Sequence, residues 1–274
     1  MNKTLPVIID GIKCYSPAVA NLHTDYPDCG FELTDQVVES NFWTRSRNRI
    51  FKYLVLSNRA GKQVTKFLEI GCGTGDFIRT LAGESSLEIT GSEVYVNGLS
   101  YAKNSSPNVE FVQIDITQDC LDNKFDIIAA FDVIEHVDAD VSAIGNMYNM
   151  LSDHGKLIVS VPQYQFMWSR IDEIVRHKRR YSRRELIDKI QQSGFKVKFI
   201  TSFVCLLFPF MLLSRALEKI RKDDTTDDEF LKKAMNLPKF VNAIFDYVMV
   251  VEEKLIKSGI SLPYGGTLII VPEK

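Results

Sequence analysis

The sequence is poor in the features that staple small folds or drive non-specific binding. Its five cysteines (Cys14, Cys29, Cys72, Cys120, Cys205) are odd in number and never spaced as Cys-x-x-Cys. That argues against a disulfide framework and a zinc ribbon, and it suits a reducing compartment. A formal net charge of only -2 argues against general binding to nucleic acid. No apolar run reaches the roughly 18 residues a membrane-spanning helix needs. The opening MNKTLPVIIDG holds too short an apolar stretch for a secretory signal, and Asp10 interrupts it. The expected location is cytoplasmic. No internal repeat is visible. What remains is an ordinary globular composition, 45% hydrophobic and 25% charged, over 274 residues. This is enough for one large domain, or for one domain with an appendage.

Residues 1 to 33, punctuated by Pro6, Gly11, Pro17, Pro27 and Gly30, read as an irregular, partly ordered segment. Thr34 then caps an expected helix that carries Val37, Val38, Phe42, Trp43, Ile50, Tyr53 and Leu54 near helical spacing. Arg45, Arg47 and Arg49 alternate along it, either as a solvated face or with one arginine turned inward to a carboxylate. From Val64 strands and helices alternate. The strands are 64–70, 87–93, 109–115, the nearly continuous apolar run FDIIAAFD (125–132) and GKLIVSVP (155–162). Such alternation predicts a parallel sheet with right-handed crossovers. Ser182 and Glu185 have capping-box spacing before a helix that Gly194 ends, and FKVKFITSF (195–203) alternates like a strand with one wet face. TLIIVPEK closes the chain as a last strand, which leaves about 204–263 as a mostly helical insertion containing an exposed acidic loop at 223–229.

The stretch KFLEIGCGTGDF (66–77) is the centre of the pattern. An apolar strand ends at Glu69 and Ile70, three alternate glycines follow (Gly71, Gly73, Gly75), and the chain turns helical at Asp76. Such a loop brings backbone N–H groups close to a ligand that tolerates no side chains. Dinucleotide-binding folds share this device. Here the spacing is GxGxG, and the third fingerprint position is Asp76 rather than glycine or alanine. Glu93 ends the second strand, where a carboxylate can accept from both hydroxyls of a ribose.

With LEIGCGTG (68–75), Glu93, VEFVQIDI with Asp115, FDIIAAFDVIEHV (125–137) and GKLIVSVP (155–162), the chain resembles the class I S-adenosylmethionine-dependent methyltransferases. Within them it is similar to the group that includes ubiquinone-biosynthesis O-methyltransferases. The resemblance covers Val64 to about Phe203. It implies a Rossmann-like, doubly wound α/β fold with a mainly parallel seven-stranded sheet whose last strand is antiparallel. The implied domain spans 64–274, with residues 1–63 as an extension and lid helix. The implied cofactor is S-adenosylmethionine, with S-adenosylhomocysteine as product and no metal required. Gly71, Cys72, Gly73 and Gly75 would lie against it, with Glu69 near its amino end. Glu93 would take the ribose and Asp115 the adenine amino group beside Ile116, while Phe131 and Asp132 would face the sulfonium. One departure is the extra glycine in GSEVYVNG, which puts the regularity of the following helix in doubt.

The acceptor side rests on fewer residues. His136, in DVIEHV, is either a group that shapes the loop or a general base for an acceptor hydroxyl. RHKRRYSRR (176–184) is either a solubilising turn or an anion-binding element. FMWSRIDEIVRHKRRYSRREL also resembles a subgroup with a His-x-x-Arg-Tyr signature placed in polysaccharide or lipid-linked pathways. By that match Arg179 and Arg180 would meet a phosphate or carboxylate of the acceptor, and His177 and Tyr181 would be further catalytic candidates. Trp43, Arg47 and Asn48 match the same subgroup, which implies that Arg47 holds the cofactor carboxylate. The run 203–222 is core, a wall of an acceptor pocket, or a helix in peripheral contact with a membrane through Lys219, Arg221 and Lys222. The expected activity is methyl transfer to oxygen, rather than nitrogen or carbon, of a small or lipid- or sugar-linked acceptor. The rival readings are an NAD(P)-dependent oxidoreductase and a non-catalytic cofactor-binding partner protein.

Overall fold

A computed structural model describes residues 5–22, 41–59, 61–220 and 225–274. Its centre is a nine-stranded sheet. The strands in chain order are β1 (Val7–Ile9), β2 (Ile12–Cys14), β3 (Thr65–Ile70), β4 (Leu87–Glu93), β5 (Glu110–Gln113), β6 (Phe125–Phe131), β7 (Leu151–Pro162), β8 (Lys196–Phe203) and β9 (Thr267–Glu273). They lie in the order β1-β2-β5-β4-β3-β6-β7-β9-β8. Strands β5, β4, β3, β6 and β7 are parallel, and β9 inserts antiparallel between β7 and β8. The chain winds from β3 to one side and then returns to β6 on the other, so the sheet reverses direction at β3. In such sheets the crevice beyond the carboxyl ends at that reversal is where ligands bind.

The seven-stranded, mainly parallel core with its antiparallel last strand agrees with the expected fold. The N-terminal segment differs from expectation. Residues 7–14 form an antiparallel hairpin whose second strand pairs in parallel with β5, so the sheet gains two strands. The physical reason is local. Asp10 and Gly11 take positive φ values of 51° and 73° at the tip, and Ile12 and Cys14 bury against α3. Gln113 then ties the following loop down, with its side chain bonded to Ser16 N, Ser16 O and Val94 O.

Helices cover both faces. They are α1 (Phe42–Ser57), α2 (Asp76–Thr80), α3 (Val96–Ser105), α4 (Asp140–Met150), α5 (Arg170–Ile174), α6 (Arg183–Gln192), α7 (Phe208–Ile220), α8 (Asp227–Met235) and α9 (Lys239–Lys257). One face buries Leu68, Ile128, Ile144, Met147, Leu186 and Ile190, which places α4 and α6 there. The other buries Phe51, Leu54, Phe67, Ile127, Met249 and Ile256, which places α1 and α9 there. With both faces covered, β6 can be buried over nearly its whole length, as its apolar run requires.

Helix α1 begins after Asn41, whose side chain accepts from Trp43 N. The expected start at Thr34, with Val37 and Val38, lies outside the described residues. Helix α3 is a full ten residues despite Gly98, against the expected short or distorted helix. The acidic stretch is not a loop throughout: Asp227 and Asp228 begin α8. Helices α7, α8 and α9 fill the connection between β8 and β9. Among the described residues, no helix is long and apolar enough to cross a membrane.

Candidate active site

At the carboxyl ends of β3, β4 and β6 lies one cavity of about 1650 Å³. Small-ligand sites occupy about 300–1,000 Å³, so this one has room for two ligands side by side. The loop after β3 forms its floor. Gly71, Gly73 and Gly75 all take positive φ, at 70°, 51° and 78°. Gly71 illustrates why glycine is required: a Cβ there would sit 2.4 Å from Val133 Cγ2, a side chain on the same cavity wall. Cys72 is pinned from behind by its N–H to Ser92 O at 2.9 Å. Gly61 has the same φ of 70° with nothing near its Cβ position. It is therefore the control for strain alone. Gly61→Ala is expected to cost about 1–2 kcal/mol of stability and nothing else. Gly71→Ala is expected to cost that and also weaken nucleoside-ligand binding more than tenfold. Calorimetry with the two variants side by side checks this, and equal affinities would refute it.

Three carboxylates face this floor. Glu69 is buried at the end of β3, and its Oε2 has no hydrogen-bond partner. Burial is the main cause that pushes its pKa up to about 8; Arg47 opposes the shift, and Asp76 and Glu93 add to it. An unpaired buried carboxyl lining a cavity is a seat for a cationic donor. Glu93 accepts from Gly73 N at 3.1 Å and Val94 N at 2.7 Å, and burial still raises its pKa. Asp115 lines the cavity too, but its carboxylate is engaged by Thr117 and Gln118, and Asn146 takes the carbonyl of Ile116. Asp76, at the position a dinucleotide fingerprint gives to glycine or alanine, accepts from Asn48 Nδ2 at 2.8 Å and so joins α2 to α1.

Of the three alternating arginines, Arg45 and Arg49 turn to α9, where Asp246 and Glu253 receive them. Arg47 turns inward, with Nε 3.0 Å from Asp132 Oδ2 and its guanidinium 5.1 Å from the centre of the Phe51 ring. Nε lacks hydrogen-bond geometry in that contact, so the pair is held by charge. Asp132 has a positive φ of 56°, a conformation uncommon outside glycine though tolerated by aspartate, and is fastened by Ser160.

The second half of the cavity is organised by a turn at Ile134–His136 and by the loop after α5 (Arg170–Ile174). Glu135, His136 and His177 each offer a ligand-type atom within 4.8 Å of the others. Two imidazoles and a carboxylate suit proton transfer, and the same donor set would also suit a divalent cation. The rings of His136 and His177 meet edge to face at 4.7 Å. His177 Nδ1 lies 2.8 Å from Asp172 Oδ1, and Nε2 lies 3.9 Å from Glu135 Oε1. Glu135 is fully buried with neither carboxylate oxygen hydrogen-bonded, and burial foremost, with Asp132 adding to it, drives its pKa well up.

Other candidates stand elsewhere. Tyr181 is fully buried and off the cavity wall, and its hydroxyl donates to Asp140 at 2.8 Å. Burial and that carboxylate push its pKa far up, so it is a structural tyrosine rather than a base. Arg179 is also off the wall and pairs with Asp140 at 3.1 Å. Arg180 reaches the wall, but its guanidinium is bound through Nε and Nη2 to Asp172 at 2.8 and 3.0 Å. Neither arginine has a charge to spare for an acceptor anion. Asp172 is the residue that sequence reading missed. Its signal was the Ser169-x-x-Asp172 capping box opening α5, five residues before His177.

The far wall comes from the insertion, through Leu207, Phe210, Met211, Leu231, Val241 and Phe245. Helix α7 therefore contributes a pocket wall, while Leu213 and Leu217 remain exposed. The side chain of Lys219, and Arg221 and Lys222 altogether, lie outside the described residues.

Comparison with known proteins agrees with this geometry. A family model described as a methyltransferase domain matches residues 39–198. A putative methyltransferase 235L of Invertebrate iridescent virus 6 is 28% identical over 126 residues, covering 43% of this chain and 47% of that protein. A ubiquinone biosynthesis O-methyltransferase of Glaesserella parasuis is 32% identical over 105 residues, covering 35% of this chain and 44% of the relative. The chain thus spans about half the length of these curated relatives. A Haemonchus contortus phosphoethanolamine N-methyltransferase 2, solved with S-adenosyl-L-methionine, superposes with a TM-score of 0.57 at 17% identity, over 92% of this chain and 58% of that one.

Proposed function

This chain belongs to the methyltransferase-domain family, and from that premise we propose that it moves a methyl group from S-adenosylmethionine to an oxygen of a partly apolar acceptor. The residues at the floor fit the cofactor. The unpaired buried Glu69 matches an ammonium group, and the positive-φ glycines keep their loop positions free of side chains against the cofactor. Arg47 would hold the cofactor carboxylate, Glu93 the ribose hydroxyls, and the Asp115–Ile116 turn the base. When bound, the cofactor supplies an electrophilic methyl group on a cationic sulfur with a good leaving group. The chain's own residues then have three tasks: alignment, exclusion of water and removal of the acceptor's proton.

The observation that carries the reading is the continuity of the cavity from the glycine loop to His136, His177 and the insertion's apolar wall. That wall favours an acceptor with a lipid-like or otherwise extended apolar portion, and the histidine pair favours oxygen. A hydroxyl is a weak nucleophile until deprotonated on the enzyme, whereas an amine can shed its proton to solvent before it binds.

Calorimetry with S-adenosylhomocysteine and NAD tests the cofactor. The first is expected to bind and the second not; the reverse would restore the oxidoreductase reading. Turnover on matched hydroxyl and amine acceptors tests the atom. His136→Ala and His177→Ala are each expected to leave S-adenosylhomocysteine affinity within about threefold, and the double variant to lose turnover by about 10²- to 10⁴-fold. Unchanged turnover in the double variant would sink the histidine assignment. Turnover that disappears with a chelator and returns with a divalent metal would assign the cluster to a cation instead.

A further inference from the structure

Building on the methyl-transfer reading, we propose that Asp172 is the positioning residue for proton abstraction and that it makes Nε2 of His177 the proton acceptor. Asp172 is fully buried, its carboxylate accepts from Ser169 N and Oγ and from Arg180 Nε and Nη2, and His177 Nδ1 lies against it, each at 2.8 to 3.0 Å. The Arg180 guanidinium, bound to both oxygens, and the two Ser169 donors keep this buried carboxylate ionised. A carboxylate in that state has no proton to give, so the hydrogen between it and His177 sits on Nδ1. The neutral ring must then carry its lone pair on Nε2.

Backbone contacts fix the ring's position as well. His177 N donates to Asp172 O at 2.8 Å, and Lys178 N donates to Glu135 O at 2.9 Å. The first ties the loop after α5 back to that helix, and the second ties it to the turn at Ile134–His136. His177 lines the cavity there, edge to face with His136. In the step itself the acceptor's O–H bond breaks, an N–H bond forms at Nε2, and the electron pair stays on the acceptor oxygen. Nδ1 keeps its proton and Asp172 stays ionised. The imidazolium then lies 2.8 Å from the ionised Asp172, which favours the charge.

The chain has only four histidines, so ¹⁵N-histidine labelling with His177→Ala as the assignment control gives a readable long-range ¹H–¹⁵N spectrum. In the wild type, His177 is expected to show a protonated Nδ1 and a bare Nε2. An Nε2–H tautomer would overturn the proposal without any variant being made. Asp172→Asn is expected to lower kcat by 100-fold or more, leave S-adenosylhomocysteine affinity within threefold and convert His177 to a tautomer mixture. Ser169→Ala removes a different Asp172 contact, and it is expected to lower stability while keeping kcat. Equal losses of kcat and cofactor affinity in Asp172→Asn would make Asp172 a scaffold residue only. A wild type that binds no S-adenosylhomocysteine would remove the premise instead, and the tautomer, which needs no ligand, separates that failure from this one.

Discussion

Glu69→Gln is expected to stabilise the cofactor-free protein and at the same time abolish tight cofactor binding. The sign follows from linkage. Burial, chiefly, lifts the folded-state pKa of Glu69 from the ordinary 4.5 to about 8. Between those values the folded protein holds a proton that the unfolded chain releases, so stability is fully present below the unfolded pKa and is lost as pH rises through the folded one. At pH 7.5 the wild type has lost about 4 kcal/mol of it, at 1.36 kcal/mol per pKa unit. Glutamine does not titrate and escapes that loss. Urea melts at pH 5 and 7.5 should therefore converge at the acid end and separate in favour of the variant at the neutral end. Binding runs the other way. A cationic amino group pairs with the ionised carboxylate, so wild-type affinity for S-adenosylhomocysteine should rise about tenfold per pH unit below 8 and then level off. The variant should show a flat profile and bind about 100-fold more weakly at pH 8. A variant that is less stable at pH 7.5, or that binds as well as the wild type, would show that Glu69 already has a partner inside the protein.

Sequence and structure agree where the signal is local. The glycine loop was legible because each glycine reports a backbone need, and the φ values bear that out at Gly71, Gly73 and Gly75. The mainly parallel sheet was legible because apolar strands alternate with helices over short spacings. The hairpin at 7–14 was not, because two three-residue strands leave almost no period to detect; their pairing with β5 depends on Gln113, nearly a hundred residues away. The basic run 176–184 shows a different failure. Six cations in nine residues look like one anion-binding feature. In the fold they diverge: Arg180 to Asp172, Arg179 to Asp140, Lys178 to Asp138 and Arg183 to backbone carbonyls of Ile200 and Leu262. Nothing in a linear pattern says which carboxylate the topology will deliver to each one. The same blindness hid Asp172, whose capping role is written in sequence and whose contact with His177 is not.

Phe51→Ala is expected to cost the most stability of any change at the site, and to show whether α1 belongs to the cofactor pocket or only covers it. Phe51 is fully buried. Its ring stacks on Phe131 with centroids 3.8 Å apart and planes 5° apart, and meets Phe77 edge to face at 6.0 Å. Phe77 in turn meets Phe131 at 5.0 Å, so three rings join α1, α2 and the end of β6. Truncation to alanine in such a core costs about 3–5 kcal/mol, which for a chain of this size is a fall of roughly 10 °C in Tm. Phe51→Leu keeps most of the volume and is expected to recover more than half of that loss. Cofactor affinity should not recover with it, because Arg47 sits 5.1 Å over the Phe51 ring while its Nε meets Asp132 by charge without hydrogen-bond geometry. Leucine returns volume to the core and gives the guanidinium no π-face to rest on. The pair of measurements therefore separates two roles of one ring. If the leucine variant restores stability and leaves S-adenosylhomocysteine binding severalfold weak, α1 is a working wall of the pocket that presents Arg47. If affinity returns with stability, the helix is packing alone, and Arg47 owes its position to Asp132.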